Sequence, residues 1–231
     1  MSFVQWPRYL PVGDAALLVE FGDQIDEAIN RQVHALAHAL AQTATPSLGE
    51  AVPTYRSLLL HYDPLCLDYV AVKQLVQELG QQTAGEPPVE SRLVEIPTIY
   101  GAEFGPDLEF VAGHNGISAQ EVIRIHSGGV YPVFMMGVTP GFPYLGGVDA
   151  AIAAPRLETP RTRVPAGSVG IAGQQTGIYP IESPGGWRII GRTPLRLFNP
   201  YTDPPTILSA GDRVRFVPIS EAEFDRIVKS Y

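Results

Sequence analysis

Cysteine and lysine are the scarcest chemical groups in this 231-residue chain, and each shortage excludes something. The single thiol, Cys66, permits no internal disulfide and no multi-cysteine metal cluster. It points instead to a reducing, cytoplasmic compartment. Lys73 and Lys229 are the only lysines, so nothing between them can form a Schiff base. Neither a GxxxxGK[ST] phosphate loop nor a GxGxxG turn occurs, so neither device holds a nucleotide here. No apolar run approaches the roughly 20 residues of a bilayer-spanning helix. The opening MSFVQWPRYLPVGD lacks the basic start and apolar stretch of a signal peptide. A formal net charge of -8 argues against nucleic acid as a partner, and nothing points to a membrane.

What is present describes a folded, turn-rich protein. Hydrophobic residues make up 45% and charged residues 17%, enough apolar material for a sizeable core. The 23 glycines and 22 prolines are spread among apolar segments, which indicates β structure with many turns rather than disorder.

Periodicity divides the chain. Residues 15–21 and 57–62 read as strands, and residues 26–42 and 67–80 as helices. His34 and His38 fall on the wet side of the first helix, and Cys66 sits among leucines as a core residue. This strand–helix–strand–helix order predicts a small α/β domain over residues 1–82. QQTAGEPPVES marks a linker, taken as residues 83–91. Residues 92–231 then predict a second domain. It begins with a strand at 92–100 and continues with a helix starting near Pro106. Another helix follows, capped by Ser118 and Glu121 and closed near His126, a cation at a helix C-terminus. Short β segments at 130–138, 169–172, 178–181, 187–191, 195–198 and 214–219 suggest a barrel or sandwich, with a last helix at 221–229.

Charge is unevenly placed. Arg156, Arg161, Arg163, Arg188, Arg192 and Arg196 lie between residues 150 and 200, opposed only by Glu158 and Glu182. That island is +4, which leaves -12 for the remainder of a chain at -8. Within it stands RTRVPAGSVGIAGQQTGIYPIESPGGWRIIGRTP, residues 161–194. Guanidinium forks suit carboxylate, phosphate or carbonyl oxygens, and glycines let backbone N–H groups approach a ligand. The same residues also read as glycine turns between strands with arginines on a solvated face. Arg161, Arg163, Arg192, Gln174, Gln175 and Thr176 are the candidate ligand contacts. Glu182 reads as a base, as a contact for a substrate amine, or as the ion-pair partner of an arginine. TPGFPYLGG, residues 139–147, reads either as a hydrophobic plug or as a rigid pocket wall presenting the Tyr144 hydroxyl. His114 sits at a helix end, where it is structural or titrates near neutral pH. No Ser-His-Asp order is readable.

FGPDLEFVAGHNGIS, EVIRIHS, TPGFPYLGG, TPRTRVPAGSVGIAG and QTGIYPIESPGGWRIIGRTPLRLF, with VPTYRSLLLHYDP near residue 52, together resemble one family. It is that of the bacterial 5-oxoprolinase B component, the Kip-type sporulation-kinase inhibitor and allophanate hydrolase subunit 1. The last is similar to part of the carboxyltransferase region of urea carboxylase. The resemblance covers nearly the whole chain. It implies an α+β protein: an α/β N-terminal domain followed by a cyclophilin-like β-barrel. It implies two partners, a C-type subunit resembling allophanate hydrolase subunit 2 and a third component of the lactam-utilisation type. The activity it implies is ATP-dependent opening of 5-oxoproline to glutamate, with ATP and Mg at the level of the complex. Glu182 and His114 are the candidate catalytic groups. Kinase inhibition and a carboxyltransferase-like role in urea breakdown are the other functions found in the family.

Overall fold

Alternation of apolar residues near the N-terminus builds a four-stranded antiparallel sheet. A computed structural model of the chain describes residues 5–83 and 91–229. These fall into two units, Met1–Ser91 and Arg92–Tyr231. Of the expected linker, Thr83 is still helical and residues 84–90 lie outside the described residues.

The first unit runs β1 (Arg8–Val12), β2 (Ala16–Glu20), α1 (Glu27–Ala41), β3 (Leu48–Pro53), β4 (Ser57–Tyr62) and α2 (Tyr69–Thr83). The sheet order is β1-β2-β4-β3. Side chains alternate across a strand, so Leu17, Val19, Leu58, Leu60 and Tyr62 share one face. They are buried there against Val33, Leu36 and Leu40 of α1 and Val72 and Val76 of α2. Each fully buried aliphatic side chain contributes about 1.5–3 kcal/mol, and a one-residue slip would turn the whole row outward. Asp26 caps α1 by accepting from the N–H groups of Ala28 and Ile29.

Two strands here go beyond what periodicity predicts. β1 contains Pro11, and β3 contains Gly49 and Pro53, residues that weaken a strand signal. Both strands are sheet edges, where a missing N–H is tolerated. Cys66 is a correction of a different kind. It is exposed in the turn after β4, with its Sγ 3.4 Å from the Asp63 carboxylate.

The second unit runs β5 (Leu93–Tyr100), α3 (Leu108–Asn115), α4 (Ala119–Gly128), β6 (Tyr131–Met136), β7 (Pro143–Leu145), β8 (Arg161–Val164), β9 (Ser168–Ala172), β10 (Gln175–Ile178), β11 (Ser183–Gly185), β12 (Arg188–Arg192), β13 (Arg213–Pro218) and α5 (Glu221–Val228). Seven of these strands close into a barrel in the order β10-β7-β6-β13-β5-β12-β9, with β9 paired back to β10. Only β5 and β13 pair in parallel within it. β8 and β11 form a separate two-stranded sheet. The chain is α+β with a closed barrel. Ile96, Val133, Val169, Ile171, Ile190 and Phe216 belong to one buried cluster with Val111 of α3 and Val122 of α4. The barrel interior is therefore a packed core.

The expected strand at 195–198 does not form; only an isolated bridge joins Phe198 to Thr206, between Pro194 and Pro200. The strand expected at 178–181 lies earlier, at Gln175–Ile178, because Pro180 has no N–H to continue the ladder. β7, β8 and β11 are only three or four residues long, too short for a periodic signal. His126 is the other correction. It is no exposed helix-end cation but is fully buried, with Nδ1 2.8 Å from the Tyr100 hydroxyl and Nε2 2.9 Å from Thr176 Oγ1.

The loop ahead of β7 carries backbone strain. Val138 has φ 64°, a region that β-branched residues avoid, and its side chain is 81% exposed. The strain costs about 1–3 kcal/mol, while glycine would add about 0.5–1 kcal/mol of chain entropy. Val138→Gly is therefore expected to stabilise the protein by about 1 kcal/mol. A calorimetric melt should show a midpoint raised by about 3 °C. An unchanged or lower midpoint contradicts the strain argument.

Candidate functional site

The site begins with the tight turn before α3. A Cβ on Gly105 would stand 2.1 Å from the Ile190 carbonyl oxygen, so only glycine lets this turn lie against β12. The approach brings Asp107 beside the strand. Its N–H donates to the Ile189 carbonyl at 2.8 Å, and its Oδ2 accepts from the Ile189 N–H at 2.7 Å. Its Oδ1 accepts from Arg161 Nη2 at 2.8 Å and lies 4.0 Å from Arg188 Nη1. Asp107, 6% exposed, thus ties α3, β8 and β12 together. In sequence it is only an acid in a first helical turn. Its spacing from the arginines, more than 50 positions, offers no signal.

Beside this clamp lies a cleft of about 210 Å³. Arg161, Arg163, Arg192, Glu103 and Ser168 line it, over an apolar wall that includes Phe104, Val164 and Ile189. Three of the expected ligand contacts are thereby brought together. Arg163 pairs with Glu182 at 2.7 Å, and both side chains are largely solvated, at 76% and 47% exposure. Such a pair contributes at most about 1 kcal/mol. Glu182 is thus placed as an ion-pair partner. Arg192 donates from Nε to the Ala166 carbonyl at 2.9 Å and has no carboxylate partner among the described residues.

The other candidates are placed elsewhere. Thr176, expected among the ligand contacts, is fully buried; its hydroxyl donates to the Gly170 carbonyl at 2.9 Å and faces His126. Gln174 and Gln175 sit at the β9–β10 hairpin, where the Gln174 carbonyl accepts from Val148 N–H at 3.2 Å. Neither glutamine lines the cleft. His114 is exposed and stacks on Phe110, with ring centroids 5.9 Å apart. Phe110 in turn carries the Arg188 guanidinium 3.5 Å above its ring, a cation–π contact. Within TPGFPYLGG, Phe142 is the plug, buried edge-on against Tyr179 and Trp187. Tyr144 is half-buried on the same cluster, and burial pushes its hydroxyl above the usual tyrosine range. The six arginines thus separate: three line the cleft, Arg188 lies largely buried beside Asp107 and Phe110, and Arg156 and Arg196 are exposed. Among the described residues no group of three or more His, Cys, Asp and Glu could hold a metal ion. No helix among them is long and apolar enough to cross a membrane.

A two-unit α+β chain ending in this closed mixed barrel defines a known class. The chain belongs to the family of carboxyltransferase domains, subdomains C and D, matched over residues 7–208. It is 48% identical over 223 residues to the B component of 5-oxoprolinase from Bacillus subtilis (strain 168), covering 92% of this chain and 93% of that one. It is 42% identical over 221 residues to the B component of 5-oxoprolinase from Escherichia coli O157:H7, covering 94% and 99%. Among solved structures, TTHA0988 superposes with a TM-score of 0.79 at 40% identity over 89% of this chain. This chain spans only 40% of TTHA0988. An uncharacterised protein from Pyrococcus horikoshii, PH0987, is 53% identical over 94% of this chain and its own full length, with a TM-score of 0.57. The urea amidolyase of K. lactis shares the fold at a TM-score of 0.76 and 24% identity, with this chain spanning 15% of it.

Proposed function

We propose that this chain is the B component of a cytoplasmic, multi-component 5-oxoprolinase. It would act with a C-type subunit and a lactam-utilisation-type third component to open 5-oxoproline to glutamate at the expense of ATP. The observation carrying this reading is the 48% identity to the Bacillus subtilis 5-oxoprolinase B component over more than nine-tenths of both chains. Similarity to a urea amidolyase of Lachancea kluyveri is 26% and covers 14% of that protein, which supports a role in urea breakdown far less.

The chemistry suits a divided enzyme. A lactam amide resists attack by water, and ATP as co-substrate activates it. Developing negative charge then needs fixed donors, which guanidinium groups and backbone N–H groups supply. Arg161, Arg163 and Arg192 are the residues we assign to the substrate-facing surface, with Tyr144, Gln174 and Gln175 as secondary candidates. Glu182 enters through its pair with Arg163. His114 would act only if a partner subunit covered it. ATP and its Mg²⁺ are assigned to the complex as a whole.

The test is reconstitution. The purified chain alone should not release glutamate from 5-oxoproline, with or without ATP. Co-expressed with a C-type subunit it should co-purify, and addition of the third component should give ATP-dependent glutamate release. ATP-dependent turnover by the isolated chain contradicts the division of labour. Failure to co-purify favours the kinase-inhibitor reading.

A further inference from the structure

We propose that the arginine-lined cleft binds the single carboxylate of a small substrate through Arg192 and Ser168, and does not bind a nucleoside triphosphate. The proposal rests on the functional reading above and adds the ligand class of this face.

Register places the two residues together. Arg192 of β12 stands directly opposite Ser168 of β9, so both side chains leave the same face with Cβ atoms roughly 5 Å apart. Ser168 is 2% exposed and lines the cleft. The Arg192 bond from Nε to the Ala166 carbonyl anchors the guanidinium and leaves its terminal N–H groups without an acid. The turn between them is held rigidly. Gly167 has φ 81°, and a Cβ there would stand 2.3 Å from the Thr193 carbonyl oxygen. The Gly167 N–H donates to the Tyr179 carbonyl, and the Gly167 carbonyl accepts from Thr193 N–H at 2.9 Å. A guanidinium fork and a hydroxyl fixed in this way suit the two oxygens of a carboxylate.

Charge then selects among anions. Arg161 is already answered by Asp107 and Arg163 by Glu182, and Glu103 lines the same cleft. With Arg188 sharing Asp107, four guanidinium groups face three carboxylates, a formal sum of +1. A triphosphate brings several negative charges and would meet Glu103 with only Arg192 unanswered. A monoanion needs one cation. Size points the same way: about 210 Å³ is below the roughly 300–1,000 Å³ of pockets for drug-sized ligands. The apolar wall of Phe104, Val164 and Ile189 suits a short hydrocarbon ring or chain behind the carboxylate.

The experiment is ligand-detected NMR titration of the full chain with three probes: 5-oxoproline, 2-pyrrolidinone (the same ring without the carboxylate) and ATP without metal. We expect 5-oxoproline to bind and 2-pyrrolidinone to bind at least tenfold more weakly. Arg192→Gln should weaken 5-oxoproline binding by about ten- to a hundredfold, the range for a lost charge-assisted hydrogen bond. Arg31→Gln in the first unit should leave it unchanged. Arg192→Lys keeps the charge should the glutamine variant fail to fold, and should restore affinity only in part. Equal affinity for 2-pyrrolidinone, no effect of either Arg192 variant, absence of 5-oxoproline binding, or ATP binding lost in Arg192→Gln each overturns the proposal. Turnover of the reconstituted complex separates the two readings. Normal turnover in Arg192→Gln preserves the proposed function and removes this site. Arg192-dependent carboxylate binding without any turnover does the reverse.

Discussion

Asp107→Ala is expected to lower the stability of the protein by about 3 kcal/mol, the largest single effect of any side chain outside the hydrophobic core. Removing the carboxylate strips the buried Ile189 N–H of its acceptor and leaves Arg161 without its counter-charge. An unsatisfied buried donor costs about 1–3 kcal/mol, and a broken buried ion pair about 3–5 kcal/mol. Arg161 retains some contact with water, which holds the sum near the lower figure. Asp107→Asn keeps one acceptor and should lose about half as much. Urea unfolding followed by tryptophan fluorescence reads this directly, because Trp187 lies in the second unit. A loss below about 1 kcal/mol in the alanine variant contradicts the clamp.

Acid should destabilise the barrel through His126. Burial pushes the pKa of this imidazole down to about 3 from the ordinary 6.5. The rings of Tyr100, Tyr131 and Phe216 surround it, and burial alone drives the shift. The unfolded chain therefore binds the proton first. Stability is complete above about pH 6.5 and falls as pH drops, by up to about 1.4 kcal/mol per unit, until the folded pKa near 3 is reached. At pH 5 the loss is about 2 kcal/mol. Glu121 and Glu223 have lowered pKa values, so their contributions are lost at lower pH than the start of this window. Replacing His126 by Phe should flatten the stability profile between pH 7 and 5, although the variant is less stable throughout because the Tyr100 hydroxyl loses its partner. A parent profile flat between pH 7 and 5 contradicts this account.

These two residues show where local sequence stops being informative. Both occupy positions that local rules explain well enough: an acid at a helix start, a histidine at a helix end. The actual role of each depends on partners far along the chain. His126 meets Thr176 across 50 positions, and Asp107 meets Ile189 across 82. Thr176 reads as a ligand contact for the same reason, since its polar neighbours in sequence do not share its burial. Alternation within β10 sends it inward while Gln175 stays at the hairpin. Short strands such as β7 and β11 escape detection for another reason: three residues with a proline carry no period.

Composition and pattern by themselves determined the helices, the Ser118 cap, most of the longer strands and the arginine-rich stretch, because these depend on neighbours within a few residues. The family resemblance was legible in long motifs for the same reason. Only the tertiary structure decided how the arginines are shared out. Barrel closure sets Arg192 beside Ser168, and the Gly105 turn carries Asp107 to Arg161. An ion pair neutralises Arg163 with a residue that could have been read as a base. Charge in the chain is a property of composition, but net charge in a cleft depends on which carboxylates the fold brings within a few ångströms of each guanidinium.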